Sequence, residues 1–162
     1  MATDLALSML GGFSAARDGV PVSLPTRKAC ALLAYLALHS GRELRREQLA
    51  ALLWGDRFDE QARRSLRQEL YEIRNTLGEN LASRLRTTRD VVVFDGDGLD
   101  VDVLRFEALV RRNDAESLEE AETLYRGPLL EGLEIGEIGF EDWLEAERSR
   151  LHEQVCAALE RL

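Results

Sequence analysis

Residues 59–78 contain the most constraining pattern of the sequence, an apolar residue at every third or fourth position. Ala62, Leu66, Leu70, Ile73 and Leu77 fall on one stripe of a helix, because each residue advances by about 100°. Asp59 is predicted to cap the start of this helix, and Gly78 is predicted to end it. A helix with one apolar stripe must bury it against other elements, so the rest of the chain has to supply a core.

The face opposite this stripe carries side chains that can bind bases and phosphates. The acidic residues of the same helix lie toward one flank of that face. Arginine pairs with guanine through two hydrogen bonds, glutamine and asparagine pair with adenine, and tyrosine or arginine can reach phosphates. The predicted base-reading residues are Arg64, Arg67, Gln68, Tyr71, Arg74 and Asn75. The alternative is an ordinary soluble surface on which arginines and glutamates form ion pairs one turn apart.

Further arginines flank this helix in sequence. Two stand where a preceding helix begins, and backbone amides and positive side chains together favour phosphate there. Three others lie in or beside a β-rich stretch that follows Gly78, where a hairpin can approach a groove or the DNA backbone. These additional candidates for DNA contact are Arg45, Arg46, Arg84, Arg86 and Arg89.

The other elements predicted up to residue 100 are strands and helices in a fixed order. Residues 5–24 partly alternate in polarity around a glycine turn, which predicts a small antiparallel sheet. Thr26 is predicted to cap a first helix that ends at Gly41, and residues 46–54 form a short second helix. Residues 85–88 and 91–94 predict a second hairpin after the arginine-rich helix. The order is therefore sheet, three helices and hairpin, an α+β domain over residues 1–100.

Residues 101–162 show no strand signal and have helical periodicity throughout, so we expect an all-α second part that begins near residues 98–102. The last helix still has apolar residues at Leu151, Val155, Leu159 and Leu162, with no terminating residue after them. We expect this helix to belong to a longer helical segment. Its apolar stripe is then exposed, and the isolated chain self-associates through it.

The formal charge of −9 is unevenly distributed. Residues 1–100 contain 14 basic and 14 acidic residues, whereas residues 101–162 contain 7 and 16. Residues 42–89 alone contain 11 basic and 8 acidic residues, so the basic excess coincides with the predicted reading helix and its flanks. This asymmetry indicates two modules with different partners. The neutral first part also allows an alternative, a protein-interaction scaffold that does not bind DNA.

No motif indicates an enzyme, a cofactor or a metal site. Gly11 and Gly12 lack the pattern of a phosphate-binding loop, and the two histidines lack metal or catalytic spacing. The aspartate-rich run at residues 95–102, which includes Asp97, has leucine where a calcium loop requires an oxygen ligand, so it predicts a turn before a helix. Cys30 and Cys156 lie in apolar helical patterns, so we expect both thiols to be buried and to form neither a disulfide nor a metal site. No membrane span or signal peptide is evident, and we expect a cytoplasmic protein.

Several of these segments resemble the SARP-type, or antibiotic-regulatory, family of transcriptional activators. LAALLWG at residues 49–55 is similar to the family's second helix with its Trp-Gly ending, and IRNTLG at residues 73–78 is similar to the close of its third helix. VDVLRFEALV, LYRGPLLEGLE and WLEAERSRL, all after residue 100, resemble the opening of the bacterial transcriptional activator domain. In the family the second hairpin, called the wing, ends with the motif Gly-Tyr-x-Leu. This chain has RDVVVFDGDGLDV at that place and so departs from the family pattern.

The resemblance implies an OmpR-type winged helix-turn-helix over residues 1–100, followed over residues 101–162 by the first tetratricopeptide-like helices of an activator domain. It also implies dimeric binding to direct repeats in double-stranded DNA and contact with RNA polymerase. The loop between the second and third helices is where such activators touch the polymerase. The predicted polymerase-contact residues are therefore Asp56, Arg57, Phe58 and Asp59.

Overall fold

The structure, a computed structural model, describes residues 5–96 and 98–162. It begins with the predicted antiparallel sheet, in which β1 (Leu5–Ser8) pairs with β2 (Ser14–Arg17) and β2 pairs with β3 (Val20–Val22). Gly19 has a φ of +82° in the tight turn between β2 and β3, a conformation that glycine adopts without strain. A fourth strand, β7 (Asp100–Val101), lies parallel to β1 at the edge of this sheet.

Three helices follow the first sheet, as predicted: α1 (Arg27–Leu38), α2 (Arg46–Leu53) and α3 (Asp59–Leu77). Thr26 caps α1 through a hydrogen bond of 3.0 Å from the Ala29 amide to its hydroxyl. The prediction that Asp59 caps α3 is wrong, because Phe58 occupies the cap position and Asp59 lies in the first turn. An aspartate in the first turn still interacts favourably with the helix dipole.

After a single turn, α4 (Glu79–Ala82), the chain forms the predicted hairpin of β5 (Leu85–Thr87) and β6 (Val91–Phe94). The Thr88 hydroxyl accepts hydrogen bonds from the Asp90 and Val91 amides and so closes the tip. A two-residue strand, β4 (Leu44–Arg45), pairs with β6 and completes a three-stranded sheet. The sequence analysis missed β4 because two residues are too few to show alternation.

The chain beyond β7 is helical: α5 (Asp102–Arg112), α6 (Ala115–Leu124) and α7 (Ile138–Arg161). The expectation that no strand signal remains after residue 100 is wrong by one residue, since β7 includes Val101. Asp102 is buried, and its carboxylate accepts hydrogen bonds of 2.9 Å from the amides of Met9 and Leu10. Asp97, the other aspartate named in the predicted turn, lies outside the described residues.

The prediction of an exposed apolar stripe on α7 is wrong for two of its members. Leu151 and Val155 are buried, because α6 packs along this side of α7. Leu159 is 47% exposed, and Leu162 is 50% exposed. The structural reason given for self-association therefore does not hold for the middle of the helix.

The core is continuous from the first sheet to the C-terminal helices, so the two parts share a buried surface. Arg148 of α7 donates hydrogen bonds to the carbonyls of Leu129 and Leu130, which fixes the segment between α6 and α7. Tyr35 of α1 contacts Trp143 of α7 edge to face, with ring centroids 4.8 Å apart. Within the described residues, no helix is long and apolar enough to cross a membrane.

Candidate nucleic-acid interface

Helix α3 has the two faces that the sequence predicts. All five residues of the apolar stripe are buried, and the stripe packs against α1 and α2. On the opposite side Arg64, Arg67, Gln68, Tyr71 and Asn75 are exposed. The structure therefore places five of the six predicted base-reading residues of α3 on one solvent-facing surface, which we call the reading face.

Of the acidic residues of α3, Glu69 is held away from the reading face, whereas Glu60 and Glu72 contact residues of that face. Glu69 accepts hydrogen bonds of 3.1 Å from the Thr26 hydroxyl, and burial raises the pKa of its carboxyl while this hydrogen bond opposes the increase. Glu72 accepts a hydrogen bond of 2.9 Å from the Gln68 amide. Arg64 lies 3.7 Å from Glu60 in an exposed pair, which contributes little to stability. The predicted ion pairing of an ordinary surface is thus present on the face itself, at Arg64, and Gln68 is hydrogen-bonded to Glu72.

Arg74, the sixth predicted base-reading residue, is half-buried and points toward the hairpin. Its Nη2 donates to the Leu85 carbonyl at 3.0 Å and to the Thr87 hydroxyl at 3.1 Å. Both acceptors belong to β5, so Arg74 ties the hairpin to α3 and fixes the position of one relative to the other. This role was not predicted from the sequence, which gave no sign of which helix residue contacts the hairpin.

An arginine-lined groove of about 420 Å³ lies beside the reading face, between the start of α2, the first half of α3 and the tip of the hairpin. Five arginines line it, together with Glu47, Leu66 and Asp90. Those five, which define the arginine groove, are Arg45, Arg46, Arg63, Arg67 and Arg89. Positive side chains outnumber the carboxylates, so this groove attracts anions.

Arg46 shows most clearly that the charge in the groove is not compensated. Burial, followed by the positive charges of Arg67 and Arg74, lowers the pKa of its guanidinium. Its Nε is buried and has no hydrogen-bond partner in the described part of the chain, while its backbone amide donates to the Asp90 carbonyl at 2.9 Å. Arg45 is largely exposed and lies 3.9 Å from Glu47, too far for a hydrogen bond.

Arg63 is a candidate that the sequence analysis missed. It is exposed, lines the arginine groove and lies four residues before Arg67, so the two share one side of α3. The signal was therefore present in the spacing of the arginines. Arg63 was not predicted, because it lies nearer the apolar stripe than the centre of the reading face. Only the packing of α2 and the hairpin beside α3 shows that Arg63 lines the arginine groove.

The three arginines predicted in or beside the hairpin occupy different places. Arg86 is exposed on β5, opposite Val93 of β6, and Arg89 is exposed at the tip. Arg84 precedes β5 at the base of the hairpin, where its guanidinium lies beside Gly98. The structure thus brings Arg89 to the arginine groove and leaves Arg84 at the opposite end of the hairpin.

The loop between α2 and α3 contains the four predicted polymerase-contact residues. Phe58 is 82% exposed, the largest exposed fraction of any large apolar side chain among the described residues. Arg57 donates a hydrogen bond of 2.6 Å to the Ser65 hydroxyl and so holds the loop against α3. Asp56 and Asp59 are exposed on either side of these two residues. The loop therefore presents an apolar side chain surrounded by charges.

The described residues contain no group of three or more histidines, cysteines or acids arranged to hold a metal ion. Cys30 is half-buried, and Cys156 is exposed within 3.6 Å of the His152 ring, contrary to the expectation that both thiols are buried. Burial raises the pKa of the Cys30 thiol, as for an unreactive cysteine.

Comparison with known families and structures identifies both parts of the chain. Residues 19–91 match the family model described as "Transcriptional regulatory protein, C terminal", and residues 101–162 match the "Bacterial transcriptional activator domain". Among solved structures, the chain is similar to Mycobacterium tuberculosis EmbR in complex with a low-affinity phosphopeptide, with 24% identity and a TM-score of 0.72. The likeness covers 96% of this chain and 43% of the EmbR chain. A search of curated proteins gave no significant match.

Proposed function

We propose that this chain, a member of the SARP-type activators whose regulatory and activator domains it carries in order, regulates transcription by binding specific DNA sequences. The observation that carries the proposal is the arginine groove beside the reading face, a groove that is lined by five arginines and two carboxylates. A protein surface built only for solubility has no need to gather five arginines around one concavity. Double-stranded DNA presents both phosphates and base edges, the two kinds of group that such a surface can bind.

In this proposal α3 enters the major groove, which is wide enough to admit one helix. Arg64 and Arg67 donate paired hydrogen bonds to guanine, and Gln68 and Asn75 pair with adenine, while Tyr71 reaches the sugar-phosphate backbone. Gln68 must first release Glu72, which costs little because both side chains are at the surface. These assignments stay predictions for each residue.

The arginine groove is proposed to hold backbone phosphates on the side of α3 where α2 begins. The Arg46 amide donates to the Asp90 carbonyl, but the next amides in the first turn of α2 have no partners in their own helix, and their partial positive charge adds to that of the arginines. Arg86 and Arg89 extend this surface along the hairpin toward the next stretch of backbone. Arg74 contributes indirectly, because it sets the distance between the reading helix and the hairpin.

The remaining parts of the proposal rest on the family. They are contact of residues 56–59 with RNA polymerase, a homodimer on direct repeats, a cytoplasmic location, the absence of enzymatic activity and a division of the chain near residue 100. The exposed Phe58 supports the polymerase contact, because an apolar side chain at a loop tip is available to a protein partner. Fold likeness alone does not carry over the phosphopeptide that EmbR binds.

The charge distribution favours a second candidate, a scaffold in which the winged helix no longer binds DNA. Residues 1–100 have no net charge, and the acidic second part repels a polyanion. The arginine groove argues against this candidate, since the basic side chains are concentrated where DNA would lie.

Selection of genomic fragments with the purified chain tests the proposal. We expect recurrent fragments that share a motif, bound at least about a thousandfold more tightly than random duplex at the same salt concentration. Replacing Arg67 by Ala is expected to weaken binding to the selected site by about 1–3 kcal/mol. Recovery of unrelated fragments with equal affinity would contradict sequence-specific binding and favour the scaffold.

A further inference from the structure

Glu137 is a buried carboxylate in a place where the helical part of the chain meets the winged helix. It occupies the cap position of α7, but its side chain makes no capping hydrogen bond to that helix. Only 9% of the side chain is exposed to solvent. A carboxylate that is withdrawn from water and does not serve its own helix must be stabilised by other groups.

Those groups come from two separate elements of the winged helix. The Lys28 ammonium, in the first turn of α1, donates to Oε1 of Glu137 at 2.9 Å. The Gly55 amide, directly after α2, donates to Oε2 at 3.2 Å. Lys28 also lies 5.3 Å from the centre of the Trp54 ring, so Trp54, Gly55 and Glu137 form one cluster around the ammonium.

Gly55 is the first loop residue after the cap of α2, and its position is tightly defined. A Cβ atom there would lie 2.8 Å from the Ala51 carbonyl, so no other residue fits without a shift. The loop then leads over three residues to the exposed Phe58. Glu137 therefore holds the first backbone group of the loop that we propose touches RNA polymerase.

The start of α7 supports this contact by packing. Gly139 lies against α2, and a Cβ atom at this residue would be 3.7 Å from the Leu52 Cα. Glu134 and Ile135, just before Glu137, line a cavity of about 760 Å³ together with Trp54, Arg57 and the first residues of α1. The loop is thus bordered on one side by the activator domain and on the other by α3.

We propose that Glu137 is a positioning residue for the loop between α2 and α3, through which the activator domain sets the loop conformation that binds RNA polymerase. The proposal rests on the polymerase contact proposed above. It adds that Glu137, a residue outside the winged helix, controls that contact. It places the coupling between the two domains at one carboxylate and one backbone amide.

Glu137→Ala tests this proposal, with Glu145→Ala as the control, because Glu145 is exposed on the same helix, has the same charge and is not among the residues that line the cavity beside the loop. The chain carrying each substitution is measured for hydrogen exchange at residues 54–58, affinity for a selected DNA fragment and recruitment of RNA polymerase to that fragment. For Glu137→Ala we expect about tenfold faster exchange, because the Gly55 amide loses a charged acceptor. Recruitment is expected to fall at least fivefold, with DNA affinity within twofold of wild type. Glu145→Ala is expected to leave all three unchanged.

Glu137→Gln separates positioning from a general loss of structure. Its side-chain carbonyl can still accept from Gly55, so we expect it to restore part of the recruitment that Glu137→Ala loses. Full recruitment by Glu137→Ala despite faster exchange would overturn the proposal, as would a parallel loss of DNA affinity and recruitment that glutamine does not rescue. A wild-type chain that binds DNA but does not recruit polymerase would refute the polymerase contact itself, and with it the role of Glu137.

Discussion

Replacing Arg67 by glutamine is expected to have opposite effects on the free protein and on its complex with DNA. Arg67 lines the arginine groove, and its charge adds to the effect of burial in lowering the pKa of the Arg46 guanidinium. In the free protein this repulsion opposes folding, whereas on DNA the same charge faces phosphates or a guanine. A surface selected for stability alone would not keep such a charge.

The magnitudes follow from Coulomb's law. At an illustrative separation of about 6 Å, two like charges repel by about 3 kcal/mol at an effective dielectric constant of about 20 and by about 0.7 kcal/mol in water. Because Arg67 is exposed and salt screens its charge, we take about 0.5 kcal/mol. For a chain of this length, that gain corresponds to a melting temperature about 1–2 °C higher. Loss of a paired base contact costs about 1–3 kcal/mol of binding, or roughly 5- to 150-fold in affinity.

Thermal unfolding at low and high salt and titration of a selected DNA site at fixed salt measure the two effects. Arg111→Gln is the matched control, because Arg111 is an exposed residue of α5 and its loss changes the net charge equally. We expect Arg67→Gln to melt higher than wild type at low salt only and to bind DNA more weakly. A lower melting temperature together with unchanged DNA affinity would refute the reasoning, since Arg67 would then be a structural residue.

Three further predictions concern the hairpin, the end of α3 and the helical part. Arg86→Ala is expected to weaken binding to selected and random DNA equally and to reduce the slope of log K against log salt concentration by about one unit, as for a phosphate contact. A loss of affinity confined to the selected site would instead make Arg86 a base reader. Arg17→Ala removes a guanidinium that donates at 2.9 Å to the Leu77 carbonyl, so we expect unfolding to cost about 1–2 kcal/mol less, and an unchanged melting temperature would contradict this. In urea denaturation, Leu151→Ala is expected to lower the free energy of unfolding by about 2–5 kcal/mol because Leu151 is buried. Leu159→Ala, at an exposed residue, is expected to lower it by less than about 1 kcal/mol. Equal losses would contradict the burial of Leu151.

Much of the fold was predictable because its signals are local. The stripe of α3, the cap of α1 by Thr26 and the β5–β6 hairpin each depend on residues close together in sequence, and the structure confirms them. Strands β4 and β7 were missed because each has two residues and exists only through pairing with a distant strand. The burial of Leu151 was missed for the same reason, since it depends on packing by α6.

The candidate site was predictable in composition but not in arrangement. Helical spacing placed Arg64 and Arg67 on one face, yet it gave no indication that Arg74 turns toward β5. The arginine groove joins α2, α3 and the hairpin, so only the three-dimensional structure reveals that Arg63 belongs to it. Glu137 was not singled out at all, because its partners lie 109 and 82 residues earlier in the chain.

The salt dependence of binding to a selected DNA fragment tests the central claim most directly. Each phosphate neutralised by a protein cation contributes about −0.9 to the slope of log K against log salt concentration. If the arginine groove and the hairpin together neutralise about four to six phosphates, the slope is about −4 to −5. A steep slope of this size, reduced by substitution of Arg46 or Arg89 but not of Arg111, is the predicted result. A slope near zero, or one that Arg111 affects as much as the groove residues, would contradict DNA binding through this surface.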